Sequence, residues 1–363
     1  MADCVRETVR QMTAYVPGET PANAGAVKLN QNESPYPPSP RVAQAVREAA
    51  GNLSRYPDSP ASSLRAAAAR LYGLAPDQVM ATNGSDEFLR ILYQASAGEN
   101  EEVAAFYPSY TYYRTLAAIQ GAKYRLIDFT DDYNLPASLD LSRTRLALLP
   151  NPNAPSGTLF GAGDIVRLCR EAKNGLVCVD EAYADYAGAS VLGLLAGPDA
   201  PPNLVVTRTF SKSYGLAGLR VGLGFASAGL MAQLDKVRDY YNVDRLAQAA
   251  ALAALEDQEY MAGTTARVVA TRDRAVAELT GRGVFVWPTR ANFILVRLAN
   301  AAEAKGAYEW LRRKEVFVRY FNAPRLADHL RITVGTDREM GRFLDEFDAW
   351  RGRTRTIQSV PPG

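Results

Sequence analysis

Two ionisable side chains follow apolar segments that are typical of buried strands. Asp180 ends the segment LVCVD, and Lys212 comes shortly after LVVTRT. A third apolar segment, LALLP, runs into the polar loop Asn151–Gly157, NPNAPSG. Because ligands bind in the crevice at the carboxyl ends of parallel strands, we expect a carboxylate, an amine and this loop to converge. An amine can form an imine with a carbonyl group, and a carboxylate can keep a ring nitrogen protonated.

Pyridoxal phosphate is a cofactor that requires these residue types. A lysine must form the imine and move a proton, a carboxylate must hold the pyridine nitrogen protonated, and a phenol or amide must bond the ring hydroxyl. Lys212, Asp180 and Tyr183 are the candidates for these three roles. Each has a simpler interpretation by itself, since a lysine after a strand is usually solvated and an aspartate there often caps a helix. The combination favours a cofactor site.

The cofactor phosphate needs an anion site. Gly84, Ser85 and Asp86 open a predicted helix, and the unpaired N–H groups of a helix N-terminus bind phosphate. The same residues would also start a helix without any ligand. Hydroxyl and guanidinium contacts are expected from three residues near Lys212 in the sequence: Thr209, Ser211 and Arg220.

Short apolar runs alternate with helical periodicity around these residues. Strands are expected at Val79–Thr82, Val103–Phe106, Leu146–Leu149, Leu176–Val179, Leu204–Thr207 and Val221–Phe225. Because several of these runs lack alternation, helices should cover both faces of a mostly parallel sheet in an α/β fold. Residues 283–350 predict a smaller α+β unit in which Val316–Arg319 forms one strand.

Several motifs now point to a family. TFSKSYGLAGLRVG, around Lys212, and VDEAYADY, which contains Asp180 and Tyr183, resemble the lysine and aspartate-tyrosine motifs of class I and II (fold type I) aminotransferases. The chain most closely resembles the histidinol-phosphate aminotransferase branch. The resemblance covers almost the whole chain, in family order, through YVPGE, LNQNESPYPPSP, RYPD, NGSDE, YPSYTYY, NPNAPSG, ANFILVR and LRITVG.

The resemblance implies a domain organisation. We expect residues 1–45 to form an N-terminal arm that packs on the small domain. Residues 46–260 are expected to form the large domain that binds pyridoxal phosphate, and residues 261–363 the small C-terminal domain.

The resemblance also assigns roles at the cofactor. Tyr110 falls where the family stacks an aromatic ring on the pyridine, and Tyr56 falls where the neighbouring subunit donates a hydroxyl to the phosphate. A shared site implies a homodimer. One position departs from the family loop, in which an asparagine bonds the ring hydroxyl: this chain has Ala154 there. Either the adjacent Asn153 substitutes for it, or Tyr183 alone bonds the hydroxyl.

Other positions are expected to bind the substrate. Arg331, in LRITVG, matches the arginine that binds the anionic group of the substrate, and Arg319 is a candidate for a second anion contact. Tyr15 and Asn32 match an arm that closes over the substrate, and Asn292 is a candidate for the pocket wall.

The implied reaction is transamination between histidinol phosphate and 2-oxoglutarate, in histidine biosynthesis. Two alternatives keep the cofactor: an aminotransferase for phenylalanine or tyrosine, and a decarboxylase of a phosphorylated amino acid. A third is a catalytically silent relative that uses the fold for regulation or binding. Cationic groups in the pocket would favour a phosphate, and an apolar pocket around Tyr15, Tyr36 and Phe321 would favour an aromatic donor.

The composition agrees with these expectations. The 363 residues are 47% hydrophobic with a formal net charge of +2, which indicates neither a nucleic acid nor a membrane surface as partner. Cys169 and Cys178 lie in apolar stretches, so we expect buried reduced thiols, and no secretory leader or membrane span is seen; a cytoplasmic protein is expected. The one histidine, His329, argues against a metal site and is expected in an exposed loop.

Overall fold

A computed structural model describes residues 4–14, 18–23 and 25–358, with side chains to residue 353. The strands are β1 (Val27–Lys28), β2 (Val79–Thr82), β3 (Glu102–Tyr107), β4 (Lys123–Asp128), β5 (Thr144–Pro150), β6 (Leu176–Asp180), β7 (Leu204–Thr209), β8 (Gly222–Phe225), β9 (Phe285–Val286), β10 (Phe293–Arg297), β11 (Val316–Phe317), β12 (Arg319–Tyr320) and β13 (His329–Thr333). The helices are α1 (Glu7–Arg10), α2 (Pro40–Ala50), α3 (Ser62–Tyr72), α4 (Gly84–Ser96), α5 (Tyr112–Gln120), α6 (Ala162–Glu171), α7 (Ala184–Ala187), α8 (Ala228–Leu234), α9 (Arg245–Leu255), α10 (Gln258–Gly281), α11 (Ala301–Arg313) and α12 (Asp337–Gln358).

A seven-stranded sheet forms the centre of the larger part of the chain. Its strand order is β2-β8-β7-β6-β5-β3-β4, and only β8 pairs antiparallel with its neighbours within this sheet. The register aligns Pro150 with Asp180, and Asp180 with Thr207. The mostly parallel sheet flanked by helices confirms the predicted fold class, and it brings the ends of the three chemically important strands to one edge.

Both faces of this sheet are covered. Along β6, Val177 and Val179 point to one hydrophobic cluster, while Cys178 belongs to the cluster on the opposite face. The first cluster includes residues of α3, α6 and α9, and the second includes residues of α4, α5 and α8. Burial on both faces explains why the central strands are apolar without alternation. Cys169 and Cys178 are buried free thiols, as predicted.

The C-terminal part of the chain forms a second, antiparallel sheet of order β12-β13-β10-β9. The prediction of one strand at Val316–Arg319 is wrong. The chain changes partners at the buried Val318: β11 pairs in parallel with β1 of the N-terminal segment, and β12 pairs with β13. The boundaries at residues 45 and 260 stay predictions. Across the described ranges, no helix is both long and apolar enough to cross a membrane.

The interpretation of His329 as an exposed loop residue is also wrong. His329 lies in β13 opposite Arg297 and is 4% exposed. The indole N–H of Trp287 donates to its Nε2 at 2.9 Å, and burial lowers the pKa of the imidazole. The pairing of β10 with β13 buries this residue, and local sequence does not reveal such a contact.

Candidate active site

Asp180 is a buried carboxylate at the end of β6. Its side chain accepts hydrogen bonds from the Tyr113 hydroxyl at 2.8 Å and from the Ala182 backbone at 3.2 Å. Burial raises its pKa to about 6, and the bond from Tyr113 opposes that effect. The carboxyl can therefore be ionised near neutral pH in a site that water hardly reaches. Such a group can hold a cationic ring nitrogen.

Lys212 is a half-buried amine three residues after β7. Its Nζ donates to the backbone oxygen of Gln31 at 3.2 Å and lies 5.9 Å from the centroid of the Tyr183 ring. Loss of water around the amine lowers its pKa to about 8, and the positive charge of Arg331 acts in the same direction. A larger share of neutral amine is then present at pH 7 than for an ordinary lysine, and the neutral form is the nucleophile.

The N-terminal segment reaches the same place. The amide nitrogen of Asn32 donates to the Tyr183 hydroxyl at 2.9 Å, so this hydroxyl acts as the acceptor in that bond. Asn32 is fixed by Thr333, and its backbone oxygen accepts from Asn292 at 3.1 Å. The predicted residues Tyr183, Asn32 and Asn292 are thus brought together from three distant parts of the chain.

The loop after β5 places Asn153 and Ala154 at the edge of this cluster. The amide nitrogen of Asn153 donates to the Pro108 oxygen at 3.2 Å and to the Ser156 hydroxyl at 2.8 Å. Its fully buried Oδ1 accepts no hydrogen bond within the described residues. Ala154 packs on Tyr183 and Phe293. Asn153 therefore presents an acceptor rather than a donor, which favours Tyr183 as the donor to an anionic oxygen.

The start of α4 is a candidate anion-binding site. Residues Gly84, Ser85 and Asp86 make its first turn, and the side chain of Asn83 does not cap it. A Cβ on Gly84 would lie 2.7 Å from Arg220 Nη2, and one on Gly222 would lie 2.5 Å from the Ser85 nitrogen. Gly222 therefore lets β8 approach the first turn of α4, and Gly84 leaves room for the Arg220 guanidinium. We call this first turn, together with that guanidinium, the cradle.

Arg220 and the predicted hydroxyl residues surround the first turn of α4. The guanidinium of Arg220 pairs with Asp86 at 3.1 Å and donates to the Ser211 hydroxyl at 3.2 Å. The Ser211 backbone donates to Thr209 Oγ1 at 3.1 Å. The Tyr110 hydroxyl reaches Asp86 at 3.3 Å. Every residue expected around the phosphate from this chain's large part thus lies in one cluster.

Two arginines lie on neighbouring strands of the small sheet. Arg331 of β13 is directly opposite Arg319 of β12, and the ring of Phe321 is centred 5.5 Å from both guanidinium carbons. Arg331 also donates to the Asn30 backbone oxygen at 3.0 Å and lies over the Phe293 ring. Because Phe293 contacts Tyr183, the arginine pair borders the cluster around Lys212. Guanidinium groups on neighbouring strands can bind a phosphate or a carboxylate.

Two predicted residues are not part of this cluster. Tyr56 is 76% exposed and stacks on Tyr241 with ring centroids 4.4 Å apart. Within the described part of this chain, none of its ring contacts or hydrogen bonds reaches the Lys212 cluster. Tyr15 lies outside the described residues.

The sequence analysis missed Tyr113, the hydrogen-bond donor to Asp180. Its only local signal is the aromatic run YPSYTYY, in which it follows Tyr110 by three positions. A second missed feature is a buried ionic network. Arg208 binds Glu181 at 3.1 Å and also contacts Asp185, which accepts from Ser213. This network joins the residue after Asp180 to the residue after Lys212.

The sheet order and the residues at its carboxyl edge together define the fold type I class. The sequence matches the family Aminotransferase class I and II over residues 24–347, and the chain belongs to this family. It is 43% identical over 343 residues to the histidinol-phosphate aminotransferase of Geotalea uraniireducens, with 94% of this chain and 97% of that one covered. It is 44% identical over 348 residues to that of Rhodopirellula baltica, covering 95% and 93%.

Solved structures agree with this assignment. The structure of histidinol-phosphate aminotransferase from Sinorhizobium meliloti in complex with pyridoxal-5'-phosphate superposes with a TM-score of 0.83, at 25% identity, covering 97% of this chain and 99% of that one.

Proposed function

We propose that the chain is a pyridoxal-phosphate-dependent aminotransferase that transfers the amino group of histidinol phosphate to 2-oxoglutarate. One observation carries the proposal: the amine of Lys212, with its lowered pKa, and the buried carboxylate of Asp180 stand at one sheet edge beside an arginine pair. The names of the relatives at 43–44% identity support the choice of donor and reaction.

The residues present fit the cofactor. Lys212 would bind its carbonyl carbon, Asp180 its ring nitrogen and Tyr183 its ring hydroxyl. The phosphate would lie at the first turn of α4, where backbone N–H groups and the Arg220 guanidinium are close together, and a Cβ on Gly84 or Gly222 would disturb this arrangement. When bound, pyridoxal phosphate supplies an electron sink that makes a C–H bond next to the donor nitrogen acidic.

The side chains of this chain handle the proton and the charge. A fraction of the Lys212 amine is neutral near pH 7, because its pKa is lowered. The neutral Nζ takes the proton from the amino-bearing carbon of the donor and afterwards gives a proton back. Asp180, mostly ionised at pH 7, keeps a proton on the ring nitrogen. Tyr113 stabilises the ionised carboxylate with its buried hydroxyl.

The arginine pair selects the substrate. Arg331 and Arg319 are directly opposite each other on neighbouring strands, and two cations there favour the doubly charged phosphate of histidinol phosphate over an uncharged side chain. The same pair can accept the distal carboxylate of 2-oxoglutarate. Asn32 and Asn292 would line the pocket, together with Tyr15. Phe321, against both guanidinium groups, is the feature that favours the alternative of an aromatic amino-acid donor.

Substrate choice is tested with a panel of amino donors against 2-oxoglutarate. Histidinol phosphate should exceed histidinol, which lacks only the phosphate, and phenylalanine by at least about a hundredfold in kcat/KM, because each charge-assisted bond that is lost costs about 1.5–3 kcal/mol. Equal rates for histidinol and its phosphate would reject the substrate, and a preference for phenylalanine would establish the alternative.

The role of Lys212 is tested with Lys212→Ala. This variant should lose the visible absorbance of the lysine-bound cofactor and essentially all transamination. Lys236→Ala, a change in a solvent-facing lysine that bonds Gln233, is the control and should retain both. Full activity in Lys212→Ala would reject the mechanism.

The proposal includes a homodimer in which Tyr56 reaches the neighbouring site. An exposed aromatic patch supports it, in which Tyr241 contacts both Tyr56 and Tyr240. A hybrid dimer of one Lys212→Ala chain and one Tyr56→Phe chain has one fully native site only if Tyr56 crosses between subunits. Its cofactor affinity at that site should equal the wild-type value; the weaker affinity of the Tyr56→Phe homodimer would refute the crossing.

We place the enzyme in the cytoplasm, and the free buried thiols of Cys169 and Cys178 support a reducing compartment.

A further inference from the structure

The segment between β12 and β13, residues 321–328, connects the two strands that carry the arginine pair. Arg319 lies two residues before it and Arg331 three residues after it, and Phe321 contacts both guanidinium groups. The segment has few internal backbone bonds, such as those from the Leu326 nitrogen to Ala323 and from the His329 nitrogen to Leu326. Phe321 is the contact through which a displacement of this segment would reach the arginine pair.

Arg325, in the middle of this segment, forms hydrogen bonds to the chain that follows β4 of the large sheet. Its guanidinium donates to the backbone oxygens of Phe129 and Thr130, both at 2.6 Å, immediately after β4. The carboxylate of Asp128 lies 3.7 Å away and the Tyr133 ring is centred 5.6 Å from the guanidinium carbon. One side chain thus satisfies two carbonyl groups of the large part from a segment of the small part.

A second bond runs in the opposite direction. The hydroxyl of Tyr107, at the end of β3, donates to the backbone oxygen of Pro324 at 2.7 Å. Leu326 is buried in the hydrophobic cluster of Phe106 and Phe129. The attachment therefore also joins the segment to the end of β3, three residues before Tyr110.

The backbone of Arg325 is unusual. Its φ of +62° lies in the left-handed region, which disfavours residues other than glycine and asparagine. The backbone of Arg325 is therefore strained, and the contacts of its side chain with the residues after β4 stabilise this conformation.

We propose that Arg325 is a positioning residue that holds Arg319 and Arg331 in place and thereby sets the affinity for anionic substrates. The proposal rests on the proposed function, because it assigns those two arginines to the substrate. Arg325 acts through them and touches no reacting atom.

The test compares Arg325→Met and Arg325→Gly in the holoenzyme. Both remove the attachment, and glycine also relieves the backbone strain. Each should raise KM for histidinol phosphate and for 2-oxoglutarate roughly 10- to 100-fold, the effect of a displacement on the order of 1 Å, while kcat at saturation stays within about twofold. Arg167→Met is the matched control. Arg167 also donates to two backbone oxygens, of Pro136 and Ala137, with a side-chain exposure of 30% against 25% for Arg325. It should leave KM unchanged.

Two further measurements do not depend on turnover. Hydrogen exchange of the holoenzyme should accelerate at the amides of Leu326 and His329 in both Arg325 variants and not in Arg167→Met. Calorimetry with inorganic phosphate should show a loss of affinity that parallels the rise in KM. If wild-type protein does not turn over histidinol phosphate, the proposed function fails, while these two measurements still decide the role of Arg325.

Three results would overturn the proposal. The first is an unchanged KM and phosphate affinity in Arg325→Met with faster exchange, because the segment would then be loosened without moving the anion site. The second is an equal effect in Arg167→Met. The third is a parallel loss of kcat and of cofactor absorbance, which would indicate a general structural role.

Discussion

Replacing Tyr113 with phenylalanine removes one oxygen from the wall around Asp180 and keeps the aromatic ring. The Tyr113 hydroxyl donates to the carboxylate at 2.8 Å, and both residues are buried. A hydrogen bond to a charged group contributes about 1.5–3 kcal/mol and a neutral one about 0.5–1.5 kcal/mol. The ionised carboxylate therefore loses about 1–1.5 kcal/mol more than the protonated acid. The pKa of Asp180 should rise from about 6 to about 7.

The pKa of Asp180 can be measured from the pH dependence of stability in the cofactor-free protein. The carboxyl has a pKa of about 6 in the folded state and 3.8 as the ordinary value, so between these pH values the folded state holds the extra proton. The free energy of unfolding should therefore fall as pH rises from about 4 to about 6. In Tyr113→Phe the free energy of unfolding should keep decreasing until about pH 7, and the whole decrease should be larger by about 1–1.5 kcal/mol.

Urea denaturation at pH 5 and pH 8 measures this decrease in the free energy of unfolding, and Tyr93→Phe is the matched control. Tyr93 is equally buried, but its hydroxyl donates to the neutral backbone oxygen of Tyr113 at 2.7 Å. Its loss should cost about 1 kcal/mol at both pH values. A pH dependence that is the same in the two variants would refute the link between Tyr113 and the charge of Asp180.

Three further predictions concern other parts of the site. The rate at which cofactor-free protein binds pyridoxal phosphate covalently should rise with pH and level off above about 8, because the pKa of Lys212 lies there, and absorbance kinetics measure it. Arg208→Met should lower the free energy of unfolding by about 3–5 kcal/mol in urea titrations, since the buried carboxylate of Glu181 loses its cation. Gly222→Ala should weaken cofactor binding at least about tenfold in equilibrium dialysis, because its Cβ would press on the Ser85 nitrogen.

Each of these predictions has a clear contrary result. Covalent binding that keeps accelerating to pH 10 would mean that Lys212 has an ordinary lysine pKa. A loss of stability in Arg208→Met that Glu181→Gln does not partly restore would show that the ion pair is not its cause. Gly229→Ala, whose Cβ would meet nothing within 4 Å, is the control for Gly222→Ala, and equal cofactor affinities in the two variants would reject the cradle.

Sequence patterns predicted the sheet edge well because its strands are buried on both faces. A run such as LVCVD leaves little choice of structure, and the residue that follows such a strand must lie at the carboxyl edge. Lys212, Asp180 and the start of α4 were therefore placed together from sequence alone.

Features that depend on contacts between distant segments could not be predicted. The apolar residues Val316 and Val318 indicate a strand but not that it changes partners between two sheets. His329 is polar and follows an aspartate, and only the pairing with β10 buries it. Tyr113 belongs to an aromatic run in which several tyrosines look alike, and the choice of the one that meets Asp180 depends on the angle at which α5 crosses β6.

The N-terminal segment makes contacts with distant parts of the chain, and these have a consequence for the order in which the structure can form. Asn32 and Thr333, which fix each other beside Tyr183, are 301 positions apart. A ribosome that adds about 5–20 residues per second needs about 15–60 seconds to cover that distance. During this interval the sheet edge with Asp180 and Lys212 can already form, while the segment that covers it has no partner strand. The residues proposed for the chemistry can thus come together before those proposed for substrate binding.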